Sequence, residues 1–201
     1  MKIKSFDALA PFYDFFMALF RRTVPAKINA WAQPEDTDVI LDVGGGTGYN
    51  AARIKTSSRR VIVLDISLKM LMRARKHRDL VLVVGDARRL PFKSSRFDLV
   101  LAVDSLHHVG DYPAALREIK RVTRRKVFIA EFFGRNAMGK ILTGVESLFL
   151  SVVYRNPDEF SQEAVREGIP GDYEYINSFE YFFLGKVQTE TSDSVSASIR
   201  N

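Results

Sequence analysis

The 201-residue sequence contains no cysteine. Disulfide bonds, thiolate metal sites and mechanisms with a cysteine nucleophile are therefore excluded. One such mechanism is the formation of 5-methylcytosine in RNA through a cysteine adduct. Histidine is also scarce, because only His77, His107 and His108 occur and their spacing is not that of a metalloenzyme motif. We therefore expect no metal site.

The sequence also lacks an apolar run long enough to cross a bilayer, which takes about 20 residues. The best candidate, Ile141 to Val153, is shorter and carries Glu146. Near the N-terminus, the uncharged run from Phe15 to Phe20 is too short for the core of a signal peptide, and Asp7 and Asp14 precede it. We therefore expect a cytoplasmic protein without a membrane span.

What the chain does contain is a composition typical of a folded protein, with 46% hydrophobic and 27% charged residues. Its length predicts a single domain, which we place at residues 1–188. Residues 189–201 have no aromatic residue and are predicted to form a flexible tail. The net charge of +6 comes from scattered basic clusters. They indicate a solvated basic surface, or attraction to nucleic acid or anionic lipid.

Short β-branched runs alternate with helical patterns through the middle of the chain, which is typical of βαβ units around a parallel sheet. The predicted strands cover residues 39–43, 60–65, 80–85, 97–103 and 126–133. Helices are predicted at 111–122, 138–154 and 158–167, and a closing pair of strands at 173–187. Because the strands are almost continuously apolar, we expect both faces of the sheet to be buried.

The most informative segment is LDVGGGTGYN, residues 41–50, where the first strand meets a helix. Glycines at 44, 46 and 48 allow a tight turn and a close approach of the backbone to a ligand. A dinucleotide fingerprint starting at Gly44 would need glycine where Tyr49 stands, and no Gly-Lys-Ser or Gly-Lys-Thr of a Walker loop follows. Asp42 could orient the loop amides, receive an ammonium group, or only cap the loop.

Two further aspartates follow the next two predicted strands. Asp65 is placed where a carboxylate can accept from the hydroxyls of a ribose, and Asp86 could accept from an adenine amino group. Each alone could be a helix cap or turn residue. Together with Asp42 they put three acids at the ends of three successive strands, which favours a nucleotide-like ligand.

These segments resemble the motifs of class I methyltransferases, especially the UbiE quinone-biosynthesis group (methyltransferase type 11). The resemblance covers residues 5 to 133 and rests on FDALAPFYD, LDVGGGTGYN, VLDISLKML, GDARRLPF, FDLVLAVDSLHHV and AEFF. It implies a Rossmann-like α/β/α sandwich with a mostly parallel seven-stranded sheet and an antiparallel last strand. The implied cofactor is S-adenosyl-L-methionine. The cofactor-binding residues implied, or expected from the strand ends, are Tyr13, Asp42, Gly44, Gly46, Thr47, Asp65, Ile66, Asp86, Ala87 and Val103.

The acceptor of the methyl group is less well defined, because VTRRKV replaces the turn usual in that family before the fifth strand and residues after 133 do not match. A small molecule, a quinone-like ring or a lipid headgroup is the expected acceptor, and methyl transfer to it is expected to need no metal. Asp104 and His108 are candidate general bases, and packing at a helix start is the alternative for the histidine.

Two flanking regions should enclose the acceptor: a helical lid at residues 1–33 and a helical region at 134–168. Their large apolar side chains could form a dry pocket or simply complete the core. These side chains are Phe12, Phe15, Phe16, Phe20, Phe133, Leu148 and Phe149. This arrangement would allow peripheral contact with a membrane. Nucleic acid is not expected as a partner. A nucleotide-binding oxidoreductase and a non-catalytic cofactor-binding protein are the competing functions.

Overall fold

The computed structural model describes residues 23–133, 152–177 and 180–187. Seven strands form one sheet in the order β3-β2-β1-β4-β5-β7-β6. Their bounds are Val39–Val43 (β1), Arg60–Asp65 (β2), Val81–Val84 (β3), Phe97–Val103 (β4), Thr123–Phe132 (β5), Gly171–Asn177 (β6) and Glu180–Lys186 (β7). Strands β1 to β5 pair in parallel, and β7 runs antiparallel to both of its neighbours.

Helices lie between the strands. Their bounds are Val24–Ala32 (α1), Tyr49–Ile54 (α2), Leu68–Ala74 (α3), Tyr112–Val122 (α4) and Pro157–Arg166 (α5), with a 3₁₀ turn at Leu106–His108. Three of them begin at a side-chain cap, because Ser67, Asp111 and Asn156 each accept a hydrogen bond from the backbone three residues on. The strand-helix alternation expected from the sequence is therefore present.

Two buried clusters cover the two faces of the sheet, as the apolar strands predict. On one face, side chains of α4 and α5 such as Leu116 and Phe160 pack with Val100 and Phe183. On the other, Ile28 of α1, Ile54 of α2 and Leu71 of α3 pack on the alternate residues of the strands. This three-layer architecture with an antiparallel last strand confirms the predicted fold class.

The predicted elements agree closely with the observed ones where the structure describes them. Strand β5 is longer than expected, because residues 123–125 extend it beside β4 across a register shift between Phe97 and Leu99. The predicted helix at 138–154 is wrong at its end, since residues 152–154 are not helical. There the backbone of Val153 donates to the carbonyl of His107 instead. The rest of that helix, the first 22 residues of the lid and the tail lie outside the described residues.

Candidate functional site

The glycine-rich loop leaves β1 at the carboxyl edge of the sheet. Gly44, Gly46 and Gly48 have φ values of 70°, 54° and 72°, in the left-handed region that favours glycine. A Cβ on Gly44 would lie 2.5 Å from the Cβ of Ser105. The N–H of Gly44 donates to the carbonyl of Leu64 at 2.7 Å, which ties the loop to β2. The G-x-G-x-G spacing thus reflects backbone conformation at alternate positions.

Asp42 lies beneath this loop and is 1% exposed. Neither of its carboxylate oxygens has a hydrogen-bond partner among the described residues. Burial raises the pKa of Asp42 to about 7, and the neighbouring Asp65 adds to the increase. A Cβ on Gly45 would come within 2.6 Å of the Asp42 carboxylate. Buried carboxylates usually have hydrogen-bond partners, so a cationic or hydrogen-bond-donating ligand would stabilise Asp42 at this place.

Asp65 ends β2 and faces the glycine loop from the side. Its carboxylate accepts from the backbone N–H of Gly46 at 2.9 Å and from that of Ser67 at 2.8 Å. Burial raises the pKa of Asp65, and these backbone hydrogen bonds oppose the increase. The loop and the second strand end are therefore joined at this carboxylate, and Ile66 is half-buried beside it. Each carboxylate oxygen retains capacity for another donor.

Asp86 follows β3, as expected, but it is bound to a cation of the chain itself. Arg88 donates to both carboxylate oxygens, from Nε at 3.0 and 3.1 Å and from its terminal nitrogen at 2.6 Å. This hydrogen-bonded pair lowers the pKa of Asp86. Ala87, next in the chain, packs against the core. Asp86 is thus less free to meet a ligand than the sequence pattern alone indicates.

The turn after β4 brings the candidate bases to the same edge. Val103, the last residue of β4, is buried. Asp104 has a φ of 49°, a left-handed conformation that costs an aspartate energy, and its N–H donates to Ala130 on β5 at 2.8 Å. His108 is buried at the end of the 3₁₀ turn, with its ring centroid 4.0 Å from that of His107. This burial is consistent with packing at a helix start, which is the alternative to a role of His108 as a general base.

Sequence reasoning missed the acid that holds this turn together. Glu131 on β5 is buried, accepts from the N–H of Ser105 at 3.3 Å and of Leu106 at 2.8 Å, and hydrogen-bonds to Nδ1 of His107. The hydroxyl of Ser105 in turn donates to the carbonyl of Val43 at 3.0 Å. The Glu131 carboxylate therefore connects the ends of β5 and β4, and the Ser105 hydroxyl extends this link to β1. The available signal was an acid within the apolar run KVFIAEFF.

A small cleft lies beside this network, on the α4 and α5 face of the sheet. It is lined by Leu106, His107, Glu131, Val153, Arg155, Phe160 and Tyr181. Burial raises the pKa of the Tyr181 hydroxyl, and Glu131 adds to the increase. The guanidinium of Arg155 lies 3.5 Å from the ring centroid of Tyr112 and supplies a positive charge at the rim.

The predicted acceptor pocket is only partly described. Phe133 is half-buried and packs against the core cluster that includes Ile129. Tyr13 and the remaining apolar candidates lie outside the described residues. Within residues 23–133, 152–177 and 180–187, no group of three or more metal-ligating side chains is positioned to hold an ion. In the same ranges, the structure has no helix of the length and hydropathy needed to span a membrane.

The order and directions of the seven strands are those of the Rossmann-like fold expected from the sequence. Residues 41–130 match the family model described as a methyltransferase domain. A demethylmenaquinone methyltransferase from Corynebacterium kroppenstedtii is 33% identical over 129 residues, which make up 60% of this chain and 54% of that protein. The chain spans about half the length of the curated relatives it matches.

Solved structures give the same fold over nearly the whole chain. A Haloferax volcanii protein in complex with the Trm112 methyltransferase activator has a TM-score of 0.82 at 19% identity, covering 95% of this chain and 99% of that one. A SAM-dependent methyltransferase from Thermotoga maritima has a TM-score of 0.79 at 18% identity, covering 92% and 99%. At these identities the likeness establishes the fold alone.

Proposed function

We propose that the protein is an S-adenosylmethionine-dependent methyltransferase that acts on a small molecule, a quinone-like ring or a lipid headgroup. The observation that carries the proposal is that both carboxylate oxygens of Asp42, beneath the left-handed glycine loop, have no hydrogen-bond partner in the described part of the chain. An ammonium group of the cofactor's methionine part would satisfy this buried acid, directly or through water. The match of residues 41–130 to a methyltransferase domain supports the same ligand.

The other cofactor contacts follow from the positions of the strand ends. Gly44, Gly46 and Thr47 would line the methionine part, because all three belong to the loop that leaves β1 at the carboxyl edge; Thr47 is fully buried there. Asp65 would accept hydrogen bonds from the ribose hydroxyls, using the carboxylate lone pairs that do not already accept from the N–H groups of Gly46 and Ser67. Ile66 and Val103 would border the adenine on its apolar faces. Asp86 and Ala87 would meet the adenine edge only if the Arg88 contact loosens.

The chemistry that the cofactor would supply is in-line transfer of a methyl group. The acceptor's electron pair would form the bond to the methyl carbon while the carbon–sulfur bond of the sulfonium breaks and S-adenosylhomocysteine leaves. The protein's contribution is to position the acceptor, exclude water and take up a proton where the acceptor loses one. Asp104 and His108 are the proposed proton acceptors, at the carboxyl edge between β4 and β5. Tyr13 and the N-terminal lid would close over this edge.

The names of the relatives favour an apolar acceptor. Demethylmenaquinone methyltransferases are among the curated relatives, at 33% to 39% identity, so a quinone-like ring is the first acceptor to test. A peripheral contact with a membrane would give access to such a compound. We also propose a cytoplasmic location, as expected from the absence of cysteine.

Calorimetric titration with S-adenosylmethionine, S-adenosylhomocysteine and nicotinamide cofactors tests the binding part of the proposal. Saturable binding of the first two and none of the nicotinamide cofactors is expected, whereas the reverse would indicate an oxidoreductase. A methyl-transfer screen on quinols, amines and lipids then tests activity. Cofactor binding without turnover on any of these acceptors would indicate a non-catalytic binding protein.

A truncation tests the lid. Removal of residues 1–20 should leave a folded protein with weaker cofactor binding and no methyl transfer, because the acceptor site would be open to water. Full activity of the truncated protein would contradict a lid, and aggregation would indicate that the segment completes the core.

A further inference from the structure

Basic clusters are scattered through the chain, and those at one edge of the sheet are not balanced by acids in the same segment. Residues 68–93, from α3 past the edge strand β3, contain eight lysines and arginines and two aspartates, a net charge of +6. The whole chain also has a net charge of +6, so the other residues balance with 22 basic and 22 acidic side chains. We call this segment the basic edge. Its charge is large enough to attract an anionic surface.

Exposed apolar side chains lie on the same edge. Leu68, Met72, Val81 and Val84 are four of the six large hydrophobic residues that are exposed among those described. Leu68 and Met72 are 60% and 56% exposed and one helical turn apart on α3, so they share its outer face. Their helix neighbours Met70 and Leu71 are buried and hold α3 against the sheet. Such a cluster among charged side chains marks an interaction surface.

Exposed basic residues adjoin these apolar residues along the chain. Lys69, Arg75, Lys76 and Arg78 are exposed on α3 and the turn after it, and Arg89 and Lys93 are exposed beyond β3. Aliphatic side chains that project from a helix between lysines and arginines are typical of segments that lie in a membrane interface, where the long basic side chains reach the headgroups. Leu68 follows the end of β2 and Val84 ends β3, so this surface borders the edge where the ligand site lies.

We infer that the basic edge docks on an anionic membrane surface. A second copy of the chain is disfavoured, because each copy would present the same net charge of +6. Nucleic acid is disfavoured because the exposed apolar residues are aliphatic and offer no ring for base stacking. The inference rests on the proposed function only in that a lipid-borne acceptor favours a membrane over an acidic protein.

Vesicle co-sedimentation of the full chain, without cofactor or acceptor, tests the inference independently of methyl transfer. The vesicles are phosphatidylcholine with one-third phosphatidylglycerol, or phosphatidylcholine alone. The wild type should bind only the anionic vesicles. Arg75→Glu/Arg78→Glu should lower the partition coefficient at least about 25-fold, because each basic residue at an anionic surface contributes about fivefold. Leu68→Ser/Met72→Ser should lower it about tenfold or more.

Matched variants elsewhere provide the controls. Lys120→Glu/Lys186→Glu changes the net charge equally at exposed sites outside the basic edge, and Val165→Ser removes an exposed apolar side chain of α5. Neither should change binding more than about threefold, since screening weakens distant charges. The inference is overturned if the wild type does not bind anionic vesicles or if the controls reduce binding as much as the test variants do. It is also overturned if the Leu68→Ser/Met72→Ser variant binds like the wild type, because attraction would then be purely electrostatic.

Failure of this inference and failure of the proposed function are distinguishable. Loss of vesicle binding with intact calorimetric binding of S-adenosylmethionine would overturn the membrane surface alone. Vesicle binding by a protein that does not bind the cofactor would leave the surface supported and contradict the methyltransferase proposal.

Discussion

Two buried acids occupy equivalent places at the carboxyl edge of the sheet and have opposite surroundings. Asp42 is the second-last residue of β1 and Glu131 the second-last residue of β5. Glu131 receives two backbone N–H groups and the ring of His107, whereas Asp42 has no partner among the described residues. Since an unpaired buried carboxylate is costly, Glu131 completes the structure, and we propose that a ligand supplies the missing donor to Asp42.

The largest effect should come from removing the satisfied acid. Glu131→Ala would leave the N–H of Leu106 and the ring of His107 without their acceptor in the core, and we expect a loss of about 3 to 5 kcal/mol in the free energy of unfolding. Glu131→Gln retains an oxygen acceptor and should cost less, about 1 to 2 kcal/mol. Urea denaturation of both variants provides the measurement. A loss below about 1 kcal/mol in the alanine variant would contradict the structural role.

Asp42, by contrast, should destabilise the folded protein when it ionises. Burial raises the pKa of Asp42 from 3.8 to about 7, so the folded state resists an ionisation that the unfolded chain undergoes freely. The wild type should therefore lose stability relative to Asp42→Asn as the pH rises from 3.8 to about 7 and then level off, by at most about 4 kcal/mol. Urea midpoints across that pH range measure this difference.

Asp98 provides the control for that experiment. It is also a buried acid, but it accepts from the N–H of Val39 and from Arg124. Asp98→Asn should destabilise the protein, because a neutral amide binds Arg124 more weakly. Parallel pH curves for the wild type and Asp42→Asn would show that Asp42 is already ionised and compensated, and the comparison with Glu131 would then fail.

Ligand binding should separate the two aspartates that follow β2 and β3. Asp65→Ala is expected to weaken S-adenosylmethionine binding about 10- to 100-fold, because ribose hydroxyls would lose a charged acceptor. Asp86→Ala should cost only a few-fold, since Arg88 already occupies both of its oxygens. Calorimetry measures both, with thermal melting as the control for folding. Equal losses, or wild-type affinity in Asp65→Ala, would contradict these assignments.

The smallest effect should be that of a chelator. Displacement at a methyl group needs no Lewis acid, and neither Asp42 nor Glu131 belongs to a metal-ligating group of three among the described residues. Methyl-transfer rates, once an acceptor is identified, should be unchanged by EDTA. A rate that EDTA abolishes and one metal restores would show that an ion acts at this edge.

Most of the fold could be predicted because each buried strand is a short apolar run in the sequence. β1, β2 and β4 have the bounds that the apolar runs predict, since burial on both faces needs uninterrupted apolar residues. The start of β5 could not be predicted in this way. Its first residues include the charged Arg124 and Arg125, and they extend the strand through contacts with acids far away in the sequence, such as Asp98 and Asp38.

The candidate site also has features that the sequence predicts and others that it does not. The glycine loop and the positions of Asp42, Asp65 and Asp86 at strand ends follow from local spacing. The pairing of Asp86 with Arg88 needs side-chain geometry, although the two residues are neighbours in sequence. The role of Glu131 depends on the turn that starts 26 residues earlier at Ser105, and no local pattern encodes that contact.

The sequence by itself determined the βαβ order, the left-handed glycine turn and the acids at the strand ends, because each depends on backbone conformation and on burial over a few neighbouring residues. Only the tertiary structure decided which acids are satisfied. Whether a buried carboxylate meets donors depends on which strands lie side by side. Among the described residues, that adjacency gives Asp42 no hydrogen-bond donor and gives Glu131 three.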